Sequence, residues 1–583
     1  EYRGYDSAGI SVLDGGEFNL IKRKGKIVDL RQAIPDDLGG TFGIGHTRWA
    51  THGDVTDRNA HPHMSADGSV CVVHNGIIEN YASLKRKLEE RGYSFASDTD
   101  SEVVLYLVVD FYEGDLERAV KQAVGLIKGT YGIVVAHRDE PGVLIGARNG
   151  SPLVLGIGDG EMLLASDVTA MLEHTKHVIY IEDGEIVRVT ADDHHTTDIR
   201  DNPVSREVQT IEWELDEIEK NGWDHFMEKE IHEQPESIRR AMQGRLDFDM
   251  ATSHLGGLNM TNRELLDVER VKVIAAGTSY HAGMVASYLL EALARMPAGA
   301  ELASELRYRN PIVERNSVFF AVSQSGETAD TLYAMRELQR KGARVLGICN
   351  VVGSTIPRES HGGVYIHSGP EIAVASTKAF TSQLSAFYLF ALLIARMRDM
   401  SYSAGLSFID QLSQVPDKIA ETLKRVDRVR EIAKKYAQAE SFLFLGRGIN
   451  YPVALEGALK LKEISYIHAE GYSAAEIKHG PIALINEQTP SLFIVPDDAL
   501  REKIISNMKE VKARNGKVIA LGVDGDNELA DIADDVMFVP STNELMSPFL
   551  TVVPLQLLAY YTALERGCNV DQPRNLAKSV TVE

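Results

Sequence analysis

Cysteine is scarce in this chain: three residues, Cys71, Cys349 and Cys568, among 583. They lie far apart and form no metal-spaced pair. That excludes a disulfide-stapled secreted fold and a cysteine metal site, and it fits a reducing cytosol. Each reads as a small buried residue rather than a nucleophile. Positive charge is also short. With 61 Lys and Arg against 84 Asp and Glu, the formal net charge is −23, which excludes the basic face of a nucleic-acid binder. An anionic small substrate remains compatible with one local pocket. Uncharged runs are few. The one that resembles a membrane span, 545–564, is interrupted by Ser547, Pro548, Pro554 and Gln556, so a buried helix is expected there and no membrane association. The opening Glu1-Tyr2-Arg3-Gly4-Tyr5-Asp6 has no apolar leader, and the expected setting is cytoplasmic.

What is present is ordinary globular text, 44% hydrophobic and 25% charged, long enough for roughly four domains at about 150 residues each. Residues 1–195 read as short strands and turns, with helices near 101–110 and 116–128, an α+β unit dominated by sheet. The stretch 196–261 is polar and acidic and reads as a linker, with a helix over 223–234. From 262 the pattern alternates. Val271-Lys272-Val273-Ile274-Ala275-Ala276-Gly277, Ser317-Val318-Phe319-Phe320-Ala321-Val322 and Val345-Leu346-Gly347-Ile348-Cys349-Asn350 are buried strands followed by helices. That alternation predicts a doubly wound parallel sheet. The layout recurs at Ser441-Phe442-Leu443-Phe444-Leu445-Gly446, Leu492-Phe493-Ile494-Val495 and 516–524. A duplicated α/β domain explains it; chance likeness of two common layouts is the alternative.

Several clusters carry candidate chemistry. Ser323-Gln324-Ser325-Gly326-Glu327-Thr328 follows a strand and opens a helix, where hydroxyls and free N–H groups can hold a phosphate. A plain capped helix start is the competing reading. Gly277-Thr278-Ser279 and Val374-Ala375-Ser376-Thr377-Lys378 add hydroxyls at other strand ends, where ligands sit in such sheets. Glu456, Lys460 and Glu463 share one helix face, either as a surface ladder or, given their apolar neighbours, as a buried proton-transfer set. Lys478-His479-Gly480-Pro481 is a turn with a histidine. In the polar tail 571–583, Lys578 can form a Schiff base with a sugar carbonyl. In the first domain, Arg48 can clamp a carboxylate, and Asn75 with the Gly76 N–H can make an oxyanion hole. His46, His52, His61, His63 and His74 lack a Cys or acidic partner at metal spacing, so no metal is expected.

Five segments, Tyr2-Arg3-Gly4-Tyr5-Asp6-Ser7-Ala8-Gly9, 46–53, 323–328, 454–463 and 571–583, together resemble the isomerising glutamine–fructose-6-phosphate aminotransferases along the whole chain. The resemblance implies an α+β N-terminal-nucleophile glutaminase domain, sandwiched β-sheets with flanking helices, over 1–195. It implies two α/β SIS domains with doubly wound parallel sheets over 262–401 and 433–573, and an active-site tail over 574–583. Arg3, Arg48, Trp49, Thr51, His52, Asn75, Gly76 and Asp100 match the family's glutamine site, with Trp49 gating an ammonia channel. Thr278, Ser279, Ser323, Gln324, Ser325, Thr328, Val374, Ser376 and Ala577 match its sugar-phosphate site. Lys578 matches the Schiff-base lysine, His479 the ring-opening histidine, Glu463 the proton shuttle and Lys460 its assistant.

The implied reaction takes L-glutamine and fructose 6-phosphate to glutamate and glucosamine 6-phosphate, at the entry to hexosamine synthesis, without a cofactor and as a homodimer. The family's nucleophilic Cys belongs to a segment ahead of Glu1, and Cys71, inside an apolar strand, is not a replacement. A SIS-domain sugar-phosphate regulator and an ammonia-dependent isomerase or deaminase are the competing readings. The first is disfavoured by Lys578, Glu463 and His479, the second by the glutamine-site residues.

Overall fold

The computed structural model describes residues 4–49, 53–211 and 215–581. Its contacts divide the chain into two compact units, Glu1–Ile218 with Ala577–Glu583, and Glu219–Leu576.

The first unit is built on antiparallel sheets. Strand Ser7–Asp14 lies between Glu17–Lys24 and Gly43–Arg48. A seven-stranded sheet has Val70–Ile78 and Gly129–His137 near one edge, paired so that Asn75 faces Gly132 and Gly76 faces Tyr131. A four-stranded sheet contains Val154–Ile157 and His177–Tyr180. Between the sheets sits an apolar layer of Phe18, Ile44, Cys71, Val134, Leu155, Ile179 and Val187. Helices Tyr81–Glu90, Ser101–Phe111 and Leu116–Val124 cover the other face of the large sheet through Leu84, Val104, Leu107 and Val120. The sandwich of sheets with flanking helices is therefore present. Tyr81–Glu90 is a helix that the sequence reading passed over: only Leu84 and Leu88 of its ten residues are buried, too narrow an apolar stripe to stand out against its charges.

The second unit is a duplication. Strands Arg270–Ala275, Ala298–Leu302, Ser317–Ser323, Arg344–Cys349 and Gly363–Tyr365 form one all-parallel sheet. Strands Ser441–Gly446, His468–Ser473, Ser491–Ile494, Val518–Val523 and Asp535–Val539 form the other. Both have the spatial order 2-1-3-4-5. In this order the crossovers reverse between the first and third strands, and a crevice opens beyond their carboxyl ends. One continuous core runs through both halves.

Its axis is two apolar helices. The stretches Lys378–Met397 and Glu544–Glu565 have the length and hydropathy of a membrane span, but 94% of each apolar window is buried inside the protein. The expected buried helix at the second position continues through Pro554.

The stretch 196–261, expected as a linker, is largely ordered. Pro203–Val204 and Gln209–Thr210 extend sheets of the first unit. Helices Phe226–His232 and Gln234–Met242 put Met227, Ile231 and Ile238 into the core of the second. Its acidic residues misled a composition-based reading because several are internal partners: buried Glu230 accepts hydrogen bonds from the N–H groups of Ile372 and Ala373.

Candidate active sites

In the first unit a cavity of about 510 Å³ is lined by Arg48, Trp49, His61, Asn75, Gly76, Asp100, Ser579 and Thr581, among others. Arg48 ends the strand Gly43–Arg48 and is 4% exposed, its guanidinium donating to the carbonyls of Gly53 (3.2 Å) and Asp54 (3.3 Å). Burial lowers its pKa, against the opposing fields of Asp6 and Asp100. Asp100 precedes the helix Ser101–Phe111, and its carboxylate takes the Ile78 N–H at 2.7 Å. A cation and an anion thus face one cavity, the pairing that grips a zwitterionic amino acid.

Gly76 has φ +135°, and a Cβ there would stand 2.0 Å from the Thr130 carbonyl oxygen. Only glycine keeps this backbone turned toward the cavity beside Asn75. The rings of His46 and His61 pack at a 45° tilt, and those of His61 and His63 edge to face at 72°, each pair with centroids 4.5 Å apart. Burial, helped by neighbouring rings and Arg48, lowers His46 to about 3 and drives His61 and His63 well below the usual histidine range. Neutral rings explain why four positively chargeable groups tolerate one another. Among the described residues no group of three or more His, Cys, Asp or Glu is arranged to hold a metal. Cys71 is fully buried, bonded to Ser11 and raised to about 11 by burial, the opposite of an activated thiol. Arg3, Thr51 and His52 lie outside the described residues.

The second unit gathers hydroxyls at the switch point of its first sheet. Thr278 and Ser279 start the helix Gly277–Ala294. Ser323 ends its strand, and Gln324, Ser325 and Thr328 form the turn into the helix Ala329–Arg340. Gly326, φ +67°, turns this loop, and its N–H donates to Ser323 Oγ at 3.0 Å. Val374 and Ser376 occupy the turn before Lys378–Met397, with the Val374 N–H bonded to the Asp571 carbonyl.

Beside them the trio on helix Tyr451–Ser465 is no surface ladder. Glu456 and Lys460 are both 0% exposed. Lys460 Nζ lies 2.6 Å from Glu463, 3.5 Å from Glu456 and 3.2 Å from Thr278 Oγ1. Burial pushes its ammonium down, but Glu463 and Glu456 outweigh that and hold its pKa above the ordinary value. The Thr278 hydroxyl donates to Glu456 at 2.9 Å while accepting from Lys460. Its proton is therefore committed to the carboxylate.

Sequence reading missed two partners. His281 Nδ1 sits 2.7 Å from Glu456, and Glu371 accepts the Ser376 hydroxyl at 3.0 Å. His281 lies three residues beyond Thr278 on the same helix, a spacing that offered a signal; Glu371 offered none. His479 stands exposed at the end of the turn Ala474–His479, outside this network. Ala577 and Lys578 group with the first unit rather than with these residues.

Fold and sites define a glutamine-using domain joined to a duplicated sugar-isomerase pair. A glutamine amidotransferase domain model matches residues 28–213, and the SIS domain model matches 264–393 and 435–566. The chain is 51% identical to the isomerising glutamine–fructose-6-phosphate aminotransferase of Chlorobaculum tepidum, covering 100% of this chain and 96% of that protein. It is 50% identical to the protein of that name from Thermus thermophilus over the same shares. The C-terminal domain of the Francisella tularensis aminotransferase superposes with a TM-score of 0.58 at 39% identity, covering 61% of this chain and 100% of that one. A tagatose-6-phosphate ketose/aldose isomerase from Escherichia coli, at TM-score 0.50 and 17% identity over 60% of this chain and 95% of its own, shares the fold alone. The chain belongs to the isomerising glutamine–fructose-6-phosphate aminotransferases.

Proposed function

We propose that the protein moves the amide nitrogen of L-glutamine to fructose 6-phosphate, releasing glutamate and glucosamine 6-phosphate. The observation that carries this reading is the pairing, in one chain, of an Arg48–Asp100 amino-acid cavity with a hydroxyl-lined crevice beside the buried Glu456–Lys460–Glu463 set. Arg48 holds the glutamine carboxylate and Asp100 its ammonium. Asn75 and the Gly76 N–H hold the oxyanion of amide cleavage.

At the sugar site, Ser279, Ser323, Gln324, Ser325 and Thr328 hold the phosphate, and Val374, Ser376 and Ala577 border the carbon chain. The Lys578 amine condenses with the C2 ketone and releases water; ammonia then replaces the lysine on C2. Glu463 moves a proton from C1 to C2, turning the imine into the amino aldose, with Lys460 holding that carboxylate in place. Ring opening falls to His479, exposed within its own chain, reaching into the site of a second copy, so the working unit is a homodimer. The setting is cytoplasmic, in keeping with three unpaired cysteines.

Incubating the chain with fructose 6-phosphate and ammonium, and following products by mass spectrometry, tests the reaction. Glucosamine 6-phosphate is expected. Binding of the sugar phosphate without any turnover favours a regulator and refutes the proposal.

A further inference from the structure

The hydroxyls bordering the sugar crevice are not equivalent in where their protons go. Ser376 Oγ lies 3.0 Å from Oε2 of Glu371. The other oxygen of that carboxylate accepts the N–H groups of Thr377 at 2.9 Å and Ala379 at 3.0 Å, where the 20-residue helix Lys378–Met397 begins. Glu371 is 4% exposed, so water does not compete for it. An ionised carboxylate only accepts hydrogen bonds, and a hydroxyl has a single proton. Ser376, half-buried at the crevice, therefore gives its proton to Glu371 and presents only lone pairs to a ligand.

The Ser323–Thr328 pair has the reverse balance. The two hydroxyls share a 2.9 Å bond, which uses one of their two protons whichever of them donates. The Gly326 N–H fills an acceptor site on Ser323. The neighbouring Glu327 carboxylate takes the Thr355 N–H and hydroxyl, each at 2.8 Å. The second proton of the pair stays with Thr328 when Ser323 donates; when Thr328 donates, the Ser323 proton has only the longer 3.4 Å contact to Ser325 Oγ within the turn, which a phosphate oxygen can displace. A phosphate dianion has nothing to donate and needs such donors; a sugar hydroxyl can meet an acceptor.

We infer that Glu371 is a positioning residue that fixes Ser376 as an acceptor for a hydroxyl on the substrate's carbon chain, while the Ser323–Thr328 pair donates to the phosphate. This rests on the phosphosugar reading above and deepens it by adding the residue that sets which way the Ser376 hydroxyl faces. In Glu371→Gln the amide can keep the backbone N–H bonds through its oxygen, but its NH₂ now donates to Ser376 and turns the hydroxyl proton outward.

The test compares the KM for fructose 6-phosphate, read as its isomerisation to glucose 6-phosphate, with competitive inhibition by inorganic phosphate, which has no carbon chain. Ser376→Ala and Glu371→Gln are each expected to raise KM about tenfold, the scale of one hydrogen bond. The phosphate inhibition constant should stay within twofold in both variants. Glu371→Gln added to Ser376→Ala should cost less than a further twofold, because its effect passes through the serine. Ser376→Thr, which keeps the hydroxyl, should recover most of the KM. Inhibition by phosphate weakening in step with KM, an unchanged KM in Ser376→Ala, or full multiplication of the two effects overturns the inference. Should Glu371→Gln fail to fold, the serine variants decide alone. Absence of turnover and of phosphate inhibition in the unaltered chain would instead sink the phosphosugar reading itself.

Discussion

Replacing Lys460 with methionine should be costly, and the geometry says where the cost falls. Lys460 is the cation between Glu463 at 2.6 Å and Glu456 at 3.5 Å. With it gone, Glu463, whose side chain is 21% exposed, can recover hydration. Glu456, at 0%, cannot. It keeps only the Thr278 hydroxyl at 2.9 Å and His281 Nδ1 at 2.7 Å. Removing one partner of a buried ion pair costs about 3–5 kcal/mol, chiefly as the uncompensated charge, and about 3 kcal/mol is more than a hundredfold in an opening equilibrium. The readout is hydrogen exchange in the helix Tyr451–Ser465, followed by mass spectrometry through a urea series, which avoids treating a two-unit chain as one transition. Removing both ions, in Glu456→Gln with Lys460→Met, should recover about 2 kcal/mol of that loss, since the stranded charge disappears. A loss below about 1 kcal/mol in the single variant, or a double variant less stable than the single, would refute the reasoning.

Gly326→Ala places a Cβ 2.0 Å from Ser354 Oγ at φ +67°; a strain of about 1–3 kcal/mol should displace the loop and raise the KM for fructose 6-phosphate at least tenfold in an isomerase assay. The first unit should be acid-sensitive. His46 is held near 3 against an ordinary value of 6.5, a depressed folded-state pKa, so its contribution is complete above about pH 6.5 and is lost as pH falls toward 3; urea midpoints for peptides of the large sheet should fall from pH 7 to pH 5, and His46→Phe should lessen that dependence without abolishing it, because His61 and His63 are lowered in the same way and remain. Mixing inactive His479→Ala and inactive Lys578→Ala subunits should restore part of the sugar activity in heterodimers, and no recovery after verified subunit exchange counts against a shared site.

The parallel strands were readable because they are buried on both faces. Ser441–Gly446 and Ser317–Ser323 appear in the sequence as unbroken apolar runs ending in small residues, and the duplication follows from their repetition. Elements with a thin apolar stripe were not readable: Tyr81–Glu90 shows its charged face, and the acids near Phe226–His232 look like surface until Glu230 is seen bonded to the loop at 372–373. The same limit applies to the sites. Motif residues such as Arg48, Asn75, Ser323 and Lys460 sit where local spacing suggested chemistry. Glu371 lies 89 residues from Lys460 in sequence, and only folding brings it close enough to influence that ammonium. The proton commitment of Thr278 likewise depends on a partner on another helix, 178 residues away. Side-chain identity shows what a residue can donate; only its neighbours show whether the proton is still available.

The central claim is that this chain performs imine chemistry on a ketose phosphate through Lys578. Borohydride reduction in the presence of fructose 6-phosphate, followed by peptide mapping, tests it most directly. The account predicts a hexitol-phosphate adduct on Lys578, absent without the sugar phosphate and absent in Lys578→Arg, which keeps the charge but cannot form the ordinary imine. An unlabelled C-terminal peptide together with undiminished glucosamine 6-phosphate formation by Lys578→Arg would contradict it.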